Sequence, residues 1–268
     1  MAESGDPQDG NVVGAVDDKP ATGPVLPRNA SSWATKVDRL QVEQREGVRG
    51  TNVSGRRLTS PIQGFGKMWQ KTYTTSLSEA ATPKEVIATW KAHFPEFWPK
   101  GNRFAGALAG ISPGDVALLD LSMGGVKLST GVFVLYADEE SFTLMTPEGH
   151  MFAGWISFSA EDVGEGTIAQ AQVLMRANDP LYELGLTLGG HHKEDIFWSQ
   201  TLTALAQRFG VINPVITTKS VCVDRKRQWR NAGNTWHNAM IRSVFQTVTR
   251  PFGSGRRRSG GGNTAPHE

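Results

Sequence analysis

The spacing of apolar residues in the middle of the chain predicts a strand followed by a well-defined helix. Residues 67–77 mix aromatic and β-branched side chains, which is typical of a strand. The sequence Thr82-Pro83-Lys84-Glu85 is a capping box with proline at the first helical position, so it predicts the start of a helix. Near one face of that helix lie four apolar residues: Val86, Trp90, Phe94 and Phe97.

A series of short apolar runs follows, and turn residues separate them. These runs predict strands over residues 115–123, 126–137, 141–146, 151–160 and 167–177. Their close spacing favours an antiparallel meander. Between residues 194 and 209, apolar residues recur at helical intervals (Trp198, Leu202, Leu205 and Phe209), and Gly210 provides a C-terminal stop. We therefore predict an α+β domain over residues 61–212.

The two ends of the chain differ from this middle part in composition. Residues 1–60 are predicted to be a mostly disordered arm, because the first 30 are rich in Gly, Asp, Pro and Ala. Residues 253–268 are predicted to be a disordered tail of Gly, Ser and Arg. The acidic start lacks an apolar stretch, and the single cysteine, Cys222, cannot form an internal disulfide. We therefore expect a cytoplasmic protein.

Charge is divided unevenly along the chain. Ten basic and two acidic residues lie beyond position 210, which leaves about +8 there and about −6 on the rest. Within the predicted extension, residues 213–252, the segment 225–252 predicts a basic amphipathic helix with Trp229, Trp236 and Met240 on one face. It could bind an anionic membrane surface or a protein partner, or it could pack back on the apolar outer face of the domain. A nucleic acid is not an expected partner.

The order of elements resembles the SRPBCC or START-like superfamily, whose members have the helix-grip fold. The resemblance covers residues 62–210, and residues 147–155 resemble the central hairpin of bacterial members of unassigned function. It implies an antiparallel curved sheet wrapped around the long C-terminal helix, with an apolar cavity between them. The superfamily has no universal catalytic motif, so the resemblance assigns no catalytic residue.

Large apolar residues supply the candidate ligand-binding site. We predict a cavity for an apolar or amphipathic small molecule, lipid-like or polyketide-like, with Arg176 orienting a polar group of the ligand. The alternative is that the apolar residues fill the core and that Arg176 faces water. The predicted cavity residues are Trp90, Phe133, Trp155, Met175, Trp198 and Leu202.

A cyclase or aromatase-like enzyme that uses the same cavity is the rival hypothesis. His150, Arg176 or Tyr182 would then transfer protons. Local motifs for hydrolases, phosphate loops and dinucleotide binding do not occur in the sequence, so no cofactor is expected. His191 and His192 are adjacent and lack the spacing of metal ligands, so no metal site is predicted either.

Overall fold

An antiparallel sheet of eight strands, in the order β2-β3-β4-β5-β6-β7-β1-β8, is the central element of the structure. The computed structural model describes residues 29–42, 50, 52–77, 81–106, 111–123, 126–164 and 166–248. The strands are β1 (Met68–Ser76), β2 (Arg103–Ala105), β3 (Val116–Met123), β4 (Val126–Ala137), β5 (Ser141–Met145), β6 (Phe152–Val163), β7 (Gly166–Ala177) and β8 (Ile216–Asp224). The predictions for residues 1–28 and 253–268 lie outside the described residues.

Two helices cover one face of this sheet, which we call the inner face. The α-helices are α1 (Pro83–His93), α2 (Pro180–Gly185), α3 (His191–Arg208) and α4 (Ala239–Val248). Shorter helical turns are formed by Pro61–Gln63, Phe94–Phe97, Leu186–Gly190 and Trp229–His237. The long helix α3 and the first helix α1 both pack into the core on the inner face. This arrangement confirms the predicted α+β helix-grip fold.

Local sequence accounts for where the main elements begin and end. The Thr82 hydroxyl accepts a hydrogen bond from the Glu85 amide, and the Glu85 carboxylate accepts one from the Thr82 amide, which completes the predicted capping box. Asp179 caps α2 in a similar way, because its carboxylate accepts bonds from the Leu181 and Tyr182 amides. The long helix begins at His191 rather than at residue 194.

Strand β8 and the three-residue β2 are the strands that the sequence analysis did not predict, and β8 is the longer of the two. It pairs antiparallel with β1 along residues 216–224 and forms one edge of the sheet. All of its side chains are exposed or half-buried, so the alternation of apolar and polar residues that reveals a strand is weak there. The sheet therefore continues past the predicted boundary at residue 212 into the predicted basic extension.

Aromatic rings dominate the core between α1 and the sheet. The rings of Phe142 and Phe158 stack with centroids 4.6 Å apart. The rings of Trp90 and Phe94 meet Phe158 edge-to-face, at centroid distances of 5.0 and 5.1 Å. Such geometries are favoured by aromatic quadrupoles in addition to the burial of apolar area. This cluster holds α1 against β5 and β6.

The outer face of the sheet is covered by segments that flank the predicted domain. Leu40 and Val53, each 1% exposed, pack with Leu118 and Phe133 on this face. The predicted disordered arm over residues 1–60 thus contains residues that belong to the packed structure. On the C-terminal side, α4 packs against β4, and the Asn52 amide donates to the Ser129 carbonyl at 2.9 Å.

Residues 225–248 do not form the single amphipathic helix that the sequence predicted. A 3-10 helix and α4 meet at Asn238, whose side-chain amide donates to Asp179 at 2.7 Å. The segment is joined to the domain by the Gln228 amide, which donates to the Phe65 carbonyl at 2.7 Å, and by the Ala239 amide, which donates to Gly149 at 2.9 Å. The alternative in which this segment packs back on the domain is therefore the one observed.

Truncating a ring in the aromatic cluster tests how much of the stability it supplies. Phe94→Ala leaves a cavity among Trp90, Phe142 and Phe158, and we expect it to lower the free energy of unfolding by about 3–5 kcal/mol. Urea denaturation followed by circular dichroism measures this change. The exposed Ile62→Ala is the control and should stay within about 0.5 kcal/mol of the wild type. A loss below about 1 kcal/mol in Phe94→Ala would show that the cluster repacks.

Candidate ligand-binding cavity

A cavity of about 400 Å³ lies between the inner face of the sheet and α3. Its sheet side is formed mainly by aliphatic side chains from strands β3 to β7. The aliphatic residues that line it include Leu119, Leu121, Val132, Leu144, Ile156 and Val173. The apolar character of these walls follows from strand alternation, which places every second side chain on the inner face.

The helix side of the cavity follows from the periodicity of α3. Gly190, Glu194, Phe197 and Trp198 border the cavity, and their spacing places them on one face of a helix. The ring of Phe197 also packs edge-to-face on Trp98, at a centroid distance of 5.1 Å. Trp98 lies in the loop before β2 and closes the same side of the cavity.

A glycine in β6 contributes to the free space. Gly154 borders the cavity and pairs with Met175 of β7. A Cβ atom added at Gly154 would lie 2.1 Å from the Leu174 carbonyl oxygen, so only glycine fits this backbone. The cavity therefore has no side chain at an inner-face position in the middle of the sheet.

Three of the predicted site residues border the cavity. Met175 and Trp198 do so from β7 and α3. Trp155 also borders it, but Trp155 alternates along β6 with Gly154 and Ile156, so its side-chain position belongs to the outer face. We therefore assign the contribution of Trp155 to its main chain. That these residues contact a ligand stays a prediction.

Two other predicted residues, Trp90 and Leu202, lie in the core beside the cavity rather than in its wall. Both are 0% exposed and belong to the main hydrophobic core. The indole of Trp90 is enclosed by Phe142 and Phe158. For these two residues the alternative of core filling is the one observed.

Phe133 and Arg176 lie on the opposite face of the sheet, so the prediction that they line the cavity is wrong. Phe133 packs under Leu40 and Val53. Arg176 pairs with Asp224 and donates hydrogen bonds to the carbonyls of Gly66 and Lys226. Arg176 is nevertheless 2% exposed, so it does not face water either. Its role is to join β7, the end of β8 and the segment before β1.

A buried ionic cluster that the sequence analysis missed lies where α3 meets β1. The Lys71 ammonium, 1% exposed, is 3.0 Å from the Glu194 carboxylate and 2.7 Å from the Asp195 carboxylate. The Tyr73 hydroxyl also donates to Asp195, at 2.7 Å. Burial and the two nearby carboxylates raise the pKa of the Tyr73 phenol. The phenol therefore stays protonated and acts as a donor.

The signal for this cluster was present in the sequence. Alternation within the predicted strand 67–77 places Lys71 on the same face as Tyr73 and Thr75. A lysine on a buried face needs an acidic partner, and the start of the following long helix offers Glu194 and Asp195. The sequence does not show which helix covers this strand, and the cluster was not predicted for that reason.

His150 is the one candidate proton-transfer residue that borders the cavity. Its Nδ1 lies 3.0 Å from the Phe152 amide nitrogen and 3.2 Å from the Phe152 carbonyl oxygen, so the main chain of one residue holds the ring. Burial lowers the pKa of His150 to about 4. Tyr182 is elsewhere: it is buried in a separate cluster, and its hydroxyl accepts from the Met240 amide at 3.1 Å.

The side chains that border the cavity and are exposed mark its opening. Lys100 lies in the loop after Trp98, and Lys193, Ile196 and Gln200 lie along the outer side of α3. The opening is thus between this loop and the helix. Two lysines flank an interior that is largely apolar.

Comparisons with known proteins find similarity in structure alone. No family model matches the chain, and no curated protein matches it. One similar structure is the di-domain ARO/CYC StfQ from the steffimycin biosynthetic pathway, with a TM-score of 0.43, 12% identity and 54% of this chain covered. The chain spans 53% of the length of that protein.

Two further structures are similar over nearly their whole length. A START superfamily protein from Mycobacterium smegmatis has 21% identity and a TM-score of 0.37, with 54% of this chain and 98% of that chain covered. Ginseng major latex-like protein 151 from Panax ginseng has 15% identity and a TM-score of 0.36, with 54% and 99% covered. All three structures share 21% identity or less with this chain.

Among the residues that the structure describes, no group of three or more His, Cys, Asp or Glu side chains could hold a metal ion. Within the same residues, no helix has the length and apolar character needed to cross a membrane.

The neutral state of His150 predicts a dependence of stability on pH. Its pKa is lower in the folded protein than in the unfolded chain. At a pH between these two pKa values, the unfolded state therefore binds more protons than the folded state. The contribution of neutral His150 to the free energy of unfolding is therefore fully present above about pH 6.5. We expect about 3 kcal/mol of that free energy to be lost as the pH falls to about 4.

Chemical denaturation at several pH values measures this effect. In His150→Gln the fall between these pH values should be smaller by that amount, since the titrating group is gone. The exposed His192→Gln should keep the profile of the wild type. If the free energy of unfolding fell equally with pH in the wild type and in His150→Gln, the lowered pKa of His150 in the folded protein would be contradicted.

Proposed function

We propose that the protein binds an apolar or amphipathic small molecule in the cavity beneath α3, and we assume no catalysis. The observation that carries this proposal is the cavity itself, about 400 Å³ with walls formed mainly by aliphatic and aromatic side chains. Cavities of ~300–1,000 Å³ with such walls are typical of small-molecule sites. A lipid-like or polyketide-like compound fits this description, and a cytoplasmic location stays part of the proposal.

Burial of apolar area supplies the driving force. A guest between α3 and strands β3–β7 removes its own surface and that of the cavity wall from water, at roughly 25 cal/mol per Å² of apolar area. The opening beside Lys100 and Lys193 provides a way in without unfolding of the core. The aromatic cluster around Phe158 lies outside the cavity and keeps the scaffold rigid.

Filling the cavity from within tests this proposal. Val173→Phe places a ring in the cavity, and we expect the affinity for the apolar fluorescent probe N-phenyl-1-naphthylamine to fall by about tenfold or more, because bulk replaces the space for a guest. The next residue offers a matched control. Leu174→Phe places the same ring on the opposite face and should leave the affinity unchanged.

Native mass spectrometry of the protein purified from its own host complements the titration. We expect bound small molecules in the wild type and in Leu174→Phe, but not in Val173→Phe. Equal probe affinity in all three proteins, with no bound molecule, would contradict ligand binding in this cavity.

The enzymatic alternative now depends on a single residue. Of the three candidates for proton transfer, His150 borders the cavity, whereas Arg176 and Tyr182 lie in other parts of the fold. The low pKa of His150 leaves it neutral near pH 7, where its ring could accept a proton only weakly. We therefore rank binding ahead of cyclase-like catalysis.

A second proposed function concerns the C-terminal segment and an anionic membrane surface. Trp229 and Trp236 are 73% and 84% exposed, although the segment that carries them packs on the domain. Arg225, Lys226 and Arg230 are exposed on the same segment. Exposed indoles next to basic side chains suit the headgroup region of an anionic bilayer.

Vesicle flotation tests the membrane proposal. We expect the wild type to float with phosphatidylserine-containing vesicles at low salt, because basic side chains attract the anionic surface, and to be released at high salt. The double variant Trp229→Ala/Trp236→Ala should remain in the soluble fraction. Leu188→Ala, which removes an exposed leucine outside this segment, is the control. Equal flotation of the double variant would exclude insertion of the indoles.

A further inference from the structure

Glu194 has a buried carboxylate that the described residues leave without a hydrogen-bond donor in good geometry. The residue is 8% exposed and borders the cavity. Among the described residues, neither carboxylate oxygen of Glu194 has a hydrogen-bond donor in good geometry; Oε2 lies 3.0 Å from the Lys71 ammonium and 3.9 Å from Nδ1 of His191, and Oε1 has no such neighbour. A buried acceptor without a donor is costly, so such an atom calls for a partner.

The neighbouring carboxylate provides the contrast. Asp195 accepts hydrogen bonds from the Lys71 ammonium and from the Tyr73 hydroxyl, both at 2.7 Å. Lys71 also donates to the His191 carbonyl at 3.3 Å. The donors of the cluster are thus directed at Asp195 and at the helix backbone. Glu194, one position earlier on α3, is the member that borders the cavity.

The charge of Glu194 itself sets the kind of partner. Its carboxylate is the acidic group of the cluster that borders the cavity, and its counter-ion, Lys71, is shared with Asp195. A ligand carboxylate placed there would be repelled, whereas a ligand hydroxyl can donate a hydrogen bond to Glu194.

Trp98 supports the choice of a hydroxyl group. It borders the cavity beside Phe197, one helical turn from Glu194, and its indole Nε1 is buried without an acceptor among the described residues. A hydroxyl group can donate to one partner and accept from another. It is therefore a group that matches both an unpaired acceptor and an unpaired donor of this wall.

We infer that Glu194 is the polar anchor of the cavity and that it selects amphipathic ligands which end in a hydroxyl group over those which end in a carboxylate. This inference rests on the proposed function, because it names the ligand class of the same cavity. A cavity of about 400 Å³ has room for a chain of roughly a dozen carbon atoms, if each takes about the volume of a water molecule. Dodecanol and dodecanoate are thus a matched pair of probes.

Competition against N-phenyl-1-naphthylamine at pH 7.5 measures the preference. In the wild type we expect dodecanol to bind about tenfold or more tightly than dodecanoate, in line with a hydrogen bond to a charged group. In Glu194→Gln the ratio should fall towards one, because the repulsion of the carboxylate ligand is removed. Glu194→Asp, which keeps the charge but shortens the reach, should weaken dodecanol binding and still reject dodecanoate.

The adjacent acid supplies the matched control. Asp195→Asn removes the same charge from the Lys71 cluster, but Asp195 is not among the residues that line the cavity. We expect it to keep the alcohol preference within about twofold of the wild type, since the contact with the ligand is intact. Thermal melts confirm that each variant is folded.

The possible outcomes separate the two proposals. If neither amphiphile displaces the probe from the wild type, the proposed function fails together with this inference. If both displace it with the same ratio in the wild type and in Glu194→Gln, ligand binding stands and the role of Glu194 is refuted. An equal loss of preference in Asp195→Asn would also refute it, because the net charge of the cluster and not the contact would then set the selectivity.

Discussion

The attachment of α3 to β1 through Lys71 is the constraint on which the cavity depends. The ammonium group contacts the first turns of the helix at three points: His191, Glu194 and Asp195. Further along, Leu202 and Leu205 are fully buried in the core. The helix is therefore held by ionic bonds at its start and by apolar packing at its end. The sheet beyond β1 curves away between these two attachments, and the cavity occupies that space.

Ionic attachment is an expensive way to fix a helix, which suggests that it serves the site. Burying Lys71 and two carboxylates costs solvation energy, and well-packed apolar residues often replace such groups without loss of stability. Of these three positions, Glu194 is the one that borders the cavity, and an apolar side chain there would remove the acidic group from the wall. The polar cluster keeps α3 in place, leaves space beside it and puts one carboxylate at the cavity wall.

Sequence patterns predicted the elements better than the faces on which their residues lie. The cap at Thr82 and the apolar stripe of α3 are local signals, and both match the structure. Phe133 lies in a strand that is apolar on both sides, so alternation could not assign it to a face. A register shift between Val134 and Tyr136 also interrupts the alternation there. Strand β6 is also apolar on both sides, so alternation could not assign Trp155 to a face either.

The missing information concerned which distant segments cover the sheet. Val53 covers the outer face, and Ala239 packs with Leu128, Met151 and Tyr182, whereas the sequence assigned these two residues to an arm and to a separate extension. Contacts between residues nearly two hundred positions apart, such as that of Asn52 with Ala239, leave no local pattern. The same reason explains β8: its pairing with β1 is made by main-chain groups, which every sequence carries.

The way in which the C-terminal segment is attached also explains why its charges stay at the surface. Amide side chains make most of its side-chain contacts with the domain: Asn231 donates to Gly64, Asn234 to Asn178 and Asn238 to Asp179. Of the arginines, Arg227 is paired with a carboxylate, that of Glu183 at 2.9 Å. Because neutral amides hold the segment, Arg225 and Arg230 remain exposed beside two outward-facing indoles. Docking on the domain and contact with an anionic surface are therefore compatible in this segment.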